Sequence, residues 1–295
     1  MGKDLAARFP AARATFEAID AALGTPLSRL MFEGPEAELI ATHNAQPAIL
    51  AHSAAVFAVI KEKVGRGVAA AGHSLGEYTA YITSGGLEAV EAAKLVRKRG
   101  ELMHQAGTQR PGTMAAVLGL ATADVEACCK DASGAGAVVV AANLNAPDQT
   151  VISGDPDAVQ KAGDACKAKG AKRVIALKVS GAFHSPLMAP AADKLRLALD
   201  KAVFWDPDFP VIANATAEPV KDVARARRTL ADQLTAPVRW VACMQRAAEL
   251  AGDGARFIEI GPGNVLAGLL KRIVAGANAT SLGTADAVEQ FLAAA

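Results

Sequence analysis

The sequence lacks long apolar runs, although apolar residues are common in it. Of its 295 residues 52% are hydrophobic, many of them alanine. No uninterrupted apolar stretch approaches the roughly 20 residues that a membrane helix needs. The first five residues do not join a basic part to an apolar one, which is the pattern of a secretory signal. We therefore expect no membrane span and a cytoplasmic protein.

An excess of charge of either sign is also absent, and aromatic residues are few. Lysine and arginine together number 31 against 30 aspartates and glutamates, and aromatic residues make up 4%. Domains that bind nucleic acid usually carry a basic patch or stripe. The composition argues against a nucleic-acid partner, so a charged partner of another kind would have to bind a local patch.

Cysteines are scarce and are not spaced as metal ligands. The four are Cys128, Cys129, Cys166 and Cys243. They form no C-x-x-C pair and have no nearby histidine at zinc-ligand spacing. We expect reduced, buried thiols and no metal site.

The most informative stretch is 68–78, where a short apolar run meets Gly-His-Ser-Leu-Gly and passes directly into a helical pattern. A G-x-S-x-G turn between a strand and a helix holds the serine hydroxyl out above the sheet. We expect side chains at Gly72 and Gly76 to collide with neighbouring backbone. The helix that follows would aim its unpaired N–H groups at an oxygen that becomes negative during acyl transfer. The pattern indicates that Ser74 is a nucleophile, although a match at three fixed positions also arises by chance.

Helical spacing on both sides of this turn predicts helices around a parallel sheet. Apolar residues recur at helical spacing over 3–23, 48–64 and 88–103. Short strands are predicted at 211–214 and 257–260.

The middle of the chain has a different pattern. Strands and helices alternate there as βαββαβ, which is the order of a ferredoxin-like unit. The predicted elements are a strand at 114–120, a helix at 122–132, strands at 138–143 and 149–153, a helix at 156–170 and a strand at 173–180. We interpret 112–181 as a small ferredoxin-like domain inserted into a larger catalytic domain that consists of 1–111 and 182–295.

A nucleophilic serine needs a base, and histidine suits that role near neutral pH. His184 lies in a loop after a strand, from which a histidine can reach the serine of such a turn. His73 should point away from Ser74, since it comes off the strand one residue earlier. The other histidines lie in or beside helices without such a signal: His43, His52 and His104.

Arg99 lies on the apolar face of its predicted helix, at helical spacing from Leu95, Val96, Leu102 and Met103. Its neighbours Arg97 and Lys98 should point mostly to water. A buried arginine is costly unless an anion meets it. Two interpretations stay open: a bound anion, or a structural ion pair with a carboxylate of the protein.

These residues resemble a known family, the malonyl-CoA:acyl-carrier-protein transacylases of fatty-acid and polyketide synthesis. The resemblance covers nearly the whole chain, and its order of motifs is highly specific. The motifs are Gln46-Pro47-Ala48, Gly72-His73-Ser74-Leu75-Gly76-Glu77-Tyr78, Arg99-Gly100, Asn143-Leu144-Asn145, Gly181-Ala182-Phe183-His184-Ser185, Gln233 ahead of Pro237-Val238, and Glu259-Ile260-Gly261-Pro262-Gly263. The resemblance implies an α/β-hydrolase-like core with an inserted ferredoxin-like domain.

The resemblance also implies a reaction and its catalytic residues. Ser74 would take the malonyl group of malonyl-CoA as an ester and pass it to the phosphopantetheine thiol of acyl carrier protein. His184 would act as base and then as acid, oriented by the backbone carbonyl of Gln233. Arg99 would bind the free malonyl carboxylate through parallel hydrogen bonds. No cofactor beyond these substrates is implied.

Four further positions are carried over from the family. Gln46 would line the acyl pocket, Asn143 would contact substrate, and the N–H of Leu75 would donate to the oxyanion. Phe183 resembles the malonyl-selective form of its loop, in which a bulky residue excludes an α-methyl branch. A hydrophobic plug beneath the loop is the alternative interpretation of Phe183.

The chain departs from the family at its N-terminus. Relatives begin with an apolar strand and a Pro-Gly-Gln-Gly-x-Gln loop whose last glutamine gives a second oxyanion N–H, and both are absent here. We expect a shortened version of a longer enzyme. Two alternative functions stay open: a serine thioesterase or esterase, since the same turn serves water equally well as acceptor, or an impaired module that binds carrier protein, because of the missing segment.

Overall fold

The computed structural model describes residues 1–134 and 136–294, and it confirms the predicted α/β class. The helices of this part are α1 (Lys3–Arg8), α2 (Pro10–Leu23), α3 (Leu27–Glu33), α4 (Glu36–Leu39), α5 (Thr42–Val64), α6 (Gly76–Thr83), α7 (Ala89–Gln109), α8 (Thr122–Ala132), α9 (Pro156–Ala168), α10 (Ala189–Lys201), α11 (Val223–Asp232), α12 (Trp240–Ala251), α13 (Val265–Ile273) and α14 (Ala285–Ala293). The strands are β1 (Ala70–Ala71), β2 (Thr113–Leu118), β3 (Val139–Ala146), β4 (Gln149–Gly154), β5 (Arg173–Ala176), β6 (Val211–Ile212), β7 (Pro219–Val220), β8 (Phe257–Ile260) and β9 (Ala279–Leu282).

The middle of the chain forms the ferredoxin-like unit that the pattern predicts. Its four strands pair in the order β3-β4-β2-β5, and every neighbouring pair is antiparallel. Apolar residues of the strands pack on α8 and α9 around a core that includes Val117, Val125 and Ile152. The two largest differences from the predicted strand ends are at β3 and β5. β3 continues to Ala146 because it keeps pairing with β4 beyond a register shift, and β5 stops at Ala176.

Short parallel strands in the rest of the chain set the place of the candidate nucleophile. β1 pairs in parallel with β6, and β7 adds an antiparallel strand beyond β6. β8 and β9 form a second parallel pair. The largest apolar core lies among helices, with α5 packed on α7 and α2 packed on both. The serine turn therefore follows β1 at the carboxyl end of a parallel pair, with α6 leading away from it.

The helix α5 begins earlier than predicted and contains Pro47. A proline inside a helix lacks the N–H that would bond the carbonyl four residues before it, which here belongs to His43. Arg97 supplies the missing donor, since its Nη1 donates to the His43 carbonyl at 2.7 Å and to Asn44 Oδ1 at 2.6 Å. The expectation that Arg97 points mostly to water is therefore wrong, whereas Lys98 is exposed as predicted.

None of the helices in the described ranges is long and apolar enough to cross a membrane. The four cysteines are free and buried, as predicted. Three of them, Cys128, Cys129 and Cys166, belong to the apolar core of the ferredoxin-like unit, where they pack as small hydrophobic residues.

Candidate active site

The turn at Ser74 is tight, and one of its glycines explains why. A Cβ added at Gly72 would lie 1.9 Å from the Gly76 carbonyl oxygen, so the position admits only hydrogen. A Cβ added at Gly76 would meet nothing within 4 Å, so the expected collision at Gly76 is wrong. Ser74 itself has a φ of 53°, a left-handed conformation that is strained for a residue with a side chain. This backbone presents the hydroxyl at the start of α6.

His184 is the histidine that reaches the serine. Its Nε2 lies 2.8 Å from Ser74 Oγ, and its Nδ1 lies 2.9 Å from the backbone oxygen of Gln233. A carbonyl can only accept, so Nδ1 carries the proton and Nε2 is free to take the serine proton. Burial, followed by the charge of Arg99, lowers the pKa of His184 to about 3. The imidazole is therefore neutral near pH 7, as a base must be.

Arg99 lies beside the same hydroxyl and is almost completely buried, with 1% exposure. Its Nη2 donates to Ser74 Oγ and to Gln233 Oε1, both at 2.9 Å, and its Nη1 donates to Gln46 Oε1. All three acceptors are neutral. In the part of the chain that the structure describes, no carboxylate lies within 4.0 Å of its guanidinium. The structural ion pair left open above has no partner among these residues.

The turn 72–76, called the elbow below, is held in place by Asn214, a residue that the sequence analysis did not single out. Asn214 follows β6 and is fully buried. Its Oδ1 accepts the Ser74 N–H at 2.7 Å, and its Nδ2 donates to the Gly72 carbonyl at 2.8 Å. The Asn214 side chain thus bonds to the backbone of both Ser74 and Gly72, which fixes the strained backbone at Ser74.

Gln233 connects the other polar residues of the site by hydrogen bonds. Beyond its contacts with His184 and Arg99, its Nε2 donates to the Ser74 carbonyl at 3.0 Å and to Glu77 Oε2 at 2.8 Å. Glu77 Oε2 also accepts the Asn214 N–H at 2.9 Å. Burial raises the pKa of Glu77 to about 7. The polar groups around Ser74 are therefore one connected network.

The pocket side of the site holds Gln46, Leu75 and Phe183. Gln46 is buried in α5, and its Nε2 donates to Thr42 Oγ1 at 2.8 Å while its oxygen meets Arg99. Leu75 is half-buried, and its N–H donates to no acceptor among the described residues, which leaves it available for an oxyanion. Phe183 is half-buried and packs against both the large core and the cluster of Met114, Ala142 and Val151.

Asn143 and His73 lie at the junction with the ferredoxin-like unit. Asn143 is buried on β3, where the backbone on either side of it bonds to Val238. Its side chain makes no hydrogen bond to Ser74, His184 or Arg99 within the described ranges, so its contact with substrate stays a prediction. His73 turns away from the hydroxyl and donates from Nε2 to Asn145 Oδ1 at 2.8 Å, with its ring 5.4 Å from that of Trp240.

The chain is similar to known proteins over nearly its whole length. Residues 1–291 match the family described as acyl transferase domain. The chain belongs to that family. It is 44% identical to the malonyl CoA-acyl carrier protein transacylase of Bacillus subtilis, over 92% of this chain and 86% of the relative. It is 41% identical to the protein of the same name from Escherichia coli K12, over 98% and 93%.

Solved structures show the same fold. A malonyl-transacylase solved in complex with its type II PKS acyl-carrier protein superimposes with a TM-score of 0.93 at 40% identity, over 99% of this chain and 94% of that one. The acyl carrier protein S-malonyltransferase of Vibrio cholerae also gives 0.93, at 38% identity, over 98% and 94%.

Sequence reasoning about this acyl transferase missed Asn214 and Glu77. A signal existed for each. Asn214 is a polar residue at the carboxyl end of a strand that pairs in parallel with the strand before Ser74, so the two ends meet. Glu77 is three residues after Ser74, in the first turn of the helix that begins at the serine turn, so it has to lie close to that turn.

Proposed function

We propose that this acyl transferase moves the malonyl group from malonyl-CoA to the phosphopantetheine thiol of acyl carrier protein, in fatty-acid biosynthesis, through a malonyl ester on Ser74. The names of its relatives support the substrates. The single observation that carries the proposal is Arg99, a buried cation that is 2.9 Å from the candidate nucleophile and has only neutral partners. An acyl group with a free carboxylate completes that pair, whereas acetyl does not.

In the first step, His184 Nε2 takes the proton from Ser74 Oγ as the oxygen attacks the thioester carbonyl of malonyl-CoA. The Leu75 N–H donates to the oxygen that becomes negative. As the tetrahedral species collapses, the C–S bond breaks and the CoA sulfur takes the proton from His184. Meanwhile the backbone carbonyl of Gln233 accepts a hydrogen bond from Nδ1 of the His184 imidazolium.

In the second step, the phosphopantetheine thiol of the carrier protein gives its proton to His184 and attacks the malonyl ester. The C–O bond to Ser74 breaks, and Oγ regains a proton from His184. The exchange is ping-pong, with CoA leaving before carrier protein reacts. Each step regenerates a neutral imidazole, and we propose that no cofactor takes part.

The remaining predicted residues set specificity in this proposal. The malonyl carboxylate takes the place of Ser74 Oγ among the acceptors of Arg99, while Gln46 holds the other side of the guanidinium. Phe183 closes the pocket against an α-methyl branch, and Asn143 lines it from β3. We propose the division into a catalytic domain of 1–111 and 182–295 and an inserted domain of 112–181, with the acyl pocket between them. We also propose a cytoplasmic location, which suits four free thiols.

The test is to incubate the protein with malonyl-CoA and holo acyl carrier protein, and to measure malonyl-carrier protein and free malonate together. Transfer with little malonate supports the proposal. Free malonate as the main product would instead establish a thioesterase, and neither product would leave a carrier-binding module.

A further inference from the structure

A titratable side chain that the proposed mechanism does not use lies next to the elbow. Glu77 is in the first turn of α6 and has no exposure to solvent. Its Oε2 accepts two hydrogen bonds, while its Oε1 has no partner among the described residues. No cation of the described ranges lies within 4.0 Å of this carboxylate. Burying a carboxylate that has no cationic partner is costly, so we expect Glu77 to have a role that offsets this cost.

The bond from Gln233 decides which way the side-chain amide of that residue faces. An amide donates only from nitrogen and accepts only at oxygen. Because Nε2 is committed to Glu77 Oε2 and to the Ser74 carbonyl, Oε1 faces Arg99 Nη2 at 2.9 Å. The reversed amide would set its NH2 against the guanidinium and its oxygen against the carboxylate. Both reversed contacts are repulsive.

The bond from Asn214 extends the same support to the nucleophile. Glu77 holds the Asn214 backbone N–H, and the Asn214 side chain holds Ser74 and Gly72. Glu77 thus reaches Arg99 and Ser74 through one intermediate residue each. It acts through other residues and does not contact the reacting atoms.

We propose that Glu77 is a positioning residue for malonyl selection: by accepting from Gln233 Nε2, it keeps Gln233 Oε1 on Arg99 and holds the guanidinium ready for the malonyl carboxylate. The inference rests on the proposed function. Its effect should concentrate on acyl groups with a free carboxylate, because acetyl has no group that pairs with Arg99.

Two variants separate the acceptor from its charge. Glu77→Gln keeps an oxygen in place of Oε2 and removes the charge, whereas Glu77→Met has similar volume and no such acceptor. The ratio of kcat/KM for malonyl-CoA to that for acetyl-CoA should stay within about threefold of wild type in Glu77→Gln. In Glu77→Met it should fall by about tenfold or more, mainly through the KM of malonyl-CoA. Thr79→Val, a buried change in the same helix, should leave the ratio unchanged.

The outcomes are distinct. A wild-type protein that transfers no malonyl overturns the proposed function and this inference with it. A wild type that transfers malonyl, beside a folded Glu77→Met with an unchanged ratio, overturns the inference alone. Should Glu77→Met not fold, Glu77→Gln decides: a retained ratio supports the acceptor role, and a loss of about tenfold refutes it.

Discussion

The two glycines of the elbow make a matched pair of substitutions with opposite expected results. At Gly72, a new Cβ would lie 1.9 Å from the Gly76 carbonyl oxygen and 2.0 Å from its carbon. At Gly76, a new Cβ would meet nothing within 4 Å. Contacts of 1.9 Å do not occur, so Gly72→Ala must push α6 away from β1 by about 1 Å or more.

The expected losses of stability and rate depend on how far the backbone can move to relieve the clash. Overpacking costs about 1–3 kcal/mol, and a clash against backbone takes the upper end. At about 2–4 °C per kcal/mol, Gly72→Ala should lower Tm by roughly 6–12 °C. Ser74 is two residues away, and a displacement of about 1 Å costs roughly a hundredfold in rate. Gly76→Ala should instead gain up to about 1 kcal/mol, since alanine restricts the unfolded chain more than glycine does.

Both variants are checked by two measurements: the Tm, monitored by circular dichroism, and the rate of malonyl transfer to carrier protein. A Gly72→Ala protein that melts and reacts like wild type would refute the steric account of the turn. Loss of activity in Gly76→Ala without loss of stability would show that substrate occupies the open space beside Gly76.

The other predictions concern the polar network. Ser74→Ala should abolish the mass increase of one malonyl group on incubation with malonyl-CoA, and His184→Ala should slow acylation and release about a hundredfold or more, as expected for a general base. Arg99→Ala should lose about 10–100-fold in malonyl transfer, the cost of a charge-assisted hydrogen bond, and far less in acetyl transfer. Glu77→Gln should be more stable than wild type at about pH 8 by roughly 3 kcal/mol, with the advantage absent at about pH 4, in urea unfolding.

The sign of the last prediction follows from proton binding. Burial raises the pKa of Glu77 to about 7, so the folded protein holds this proton over a range where the unfolded chain has released it. Wild-type stability therefore falls as pH rises from about 4 to about 7. Glutamine does not titrate, so that loss is missing in the variant. Glu62→Gln, an exposed change on α5, is the control. Equal curves for wild type and Glu77→Gln would contradict the buried ionisation.

Local patterns in the sequence sufficed for the parts of the site that local structure fixes. The strand, turn and helix at Ser74 are contiguous, and the alternation over 112–181 predicts the ferredoxin-like unit, whose strands pair mainly with one another. His184 could be chosen because it follows a strand. The helix α7 could be shown to bury Arg99 from the spacing of its apolar neighbours.

What the sequence could not decide depends on contacts far apart in the chain. The choice between a structural partner and a bound anion for Arg99 needs the positions of all carboxylates around it. Likewise, the pattern 48–64 put the start of α5 after Pro47, because the sequence does not show that Arg97 bonds the His43 carbonyl, which Pro47 cannot do. Glu77 looked like an ordinary polar residue of a first turn, since its burial is set by β6 and Gln233.

Ser74 and His184, the proposed nucleophile and base, both have strained backbones, with φ of 53° at Ser74 and 57° at His184. Such conformations cost about 1–3 kcal/mol each and persist only where the surroundings over-determine them. At Ser74 the N–H is held by Asn214 and the carbonyl by Gln233. At His184 the ring is held by the Gln233 carbonyl. Gln233 therefore anchors both strained residues, and through Oε1 it also holds Arg99, the proposed partner of the acyl carboxylate. Because one glutamine couples the geometry of the proposed nucleophile, base and acyl-binding arginine, loss of its amide should disturb selectivity and rate together.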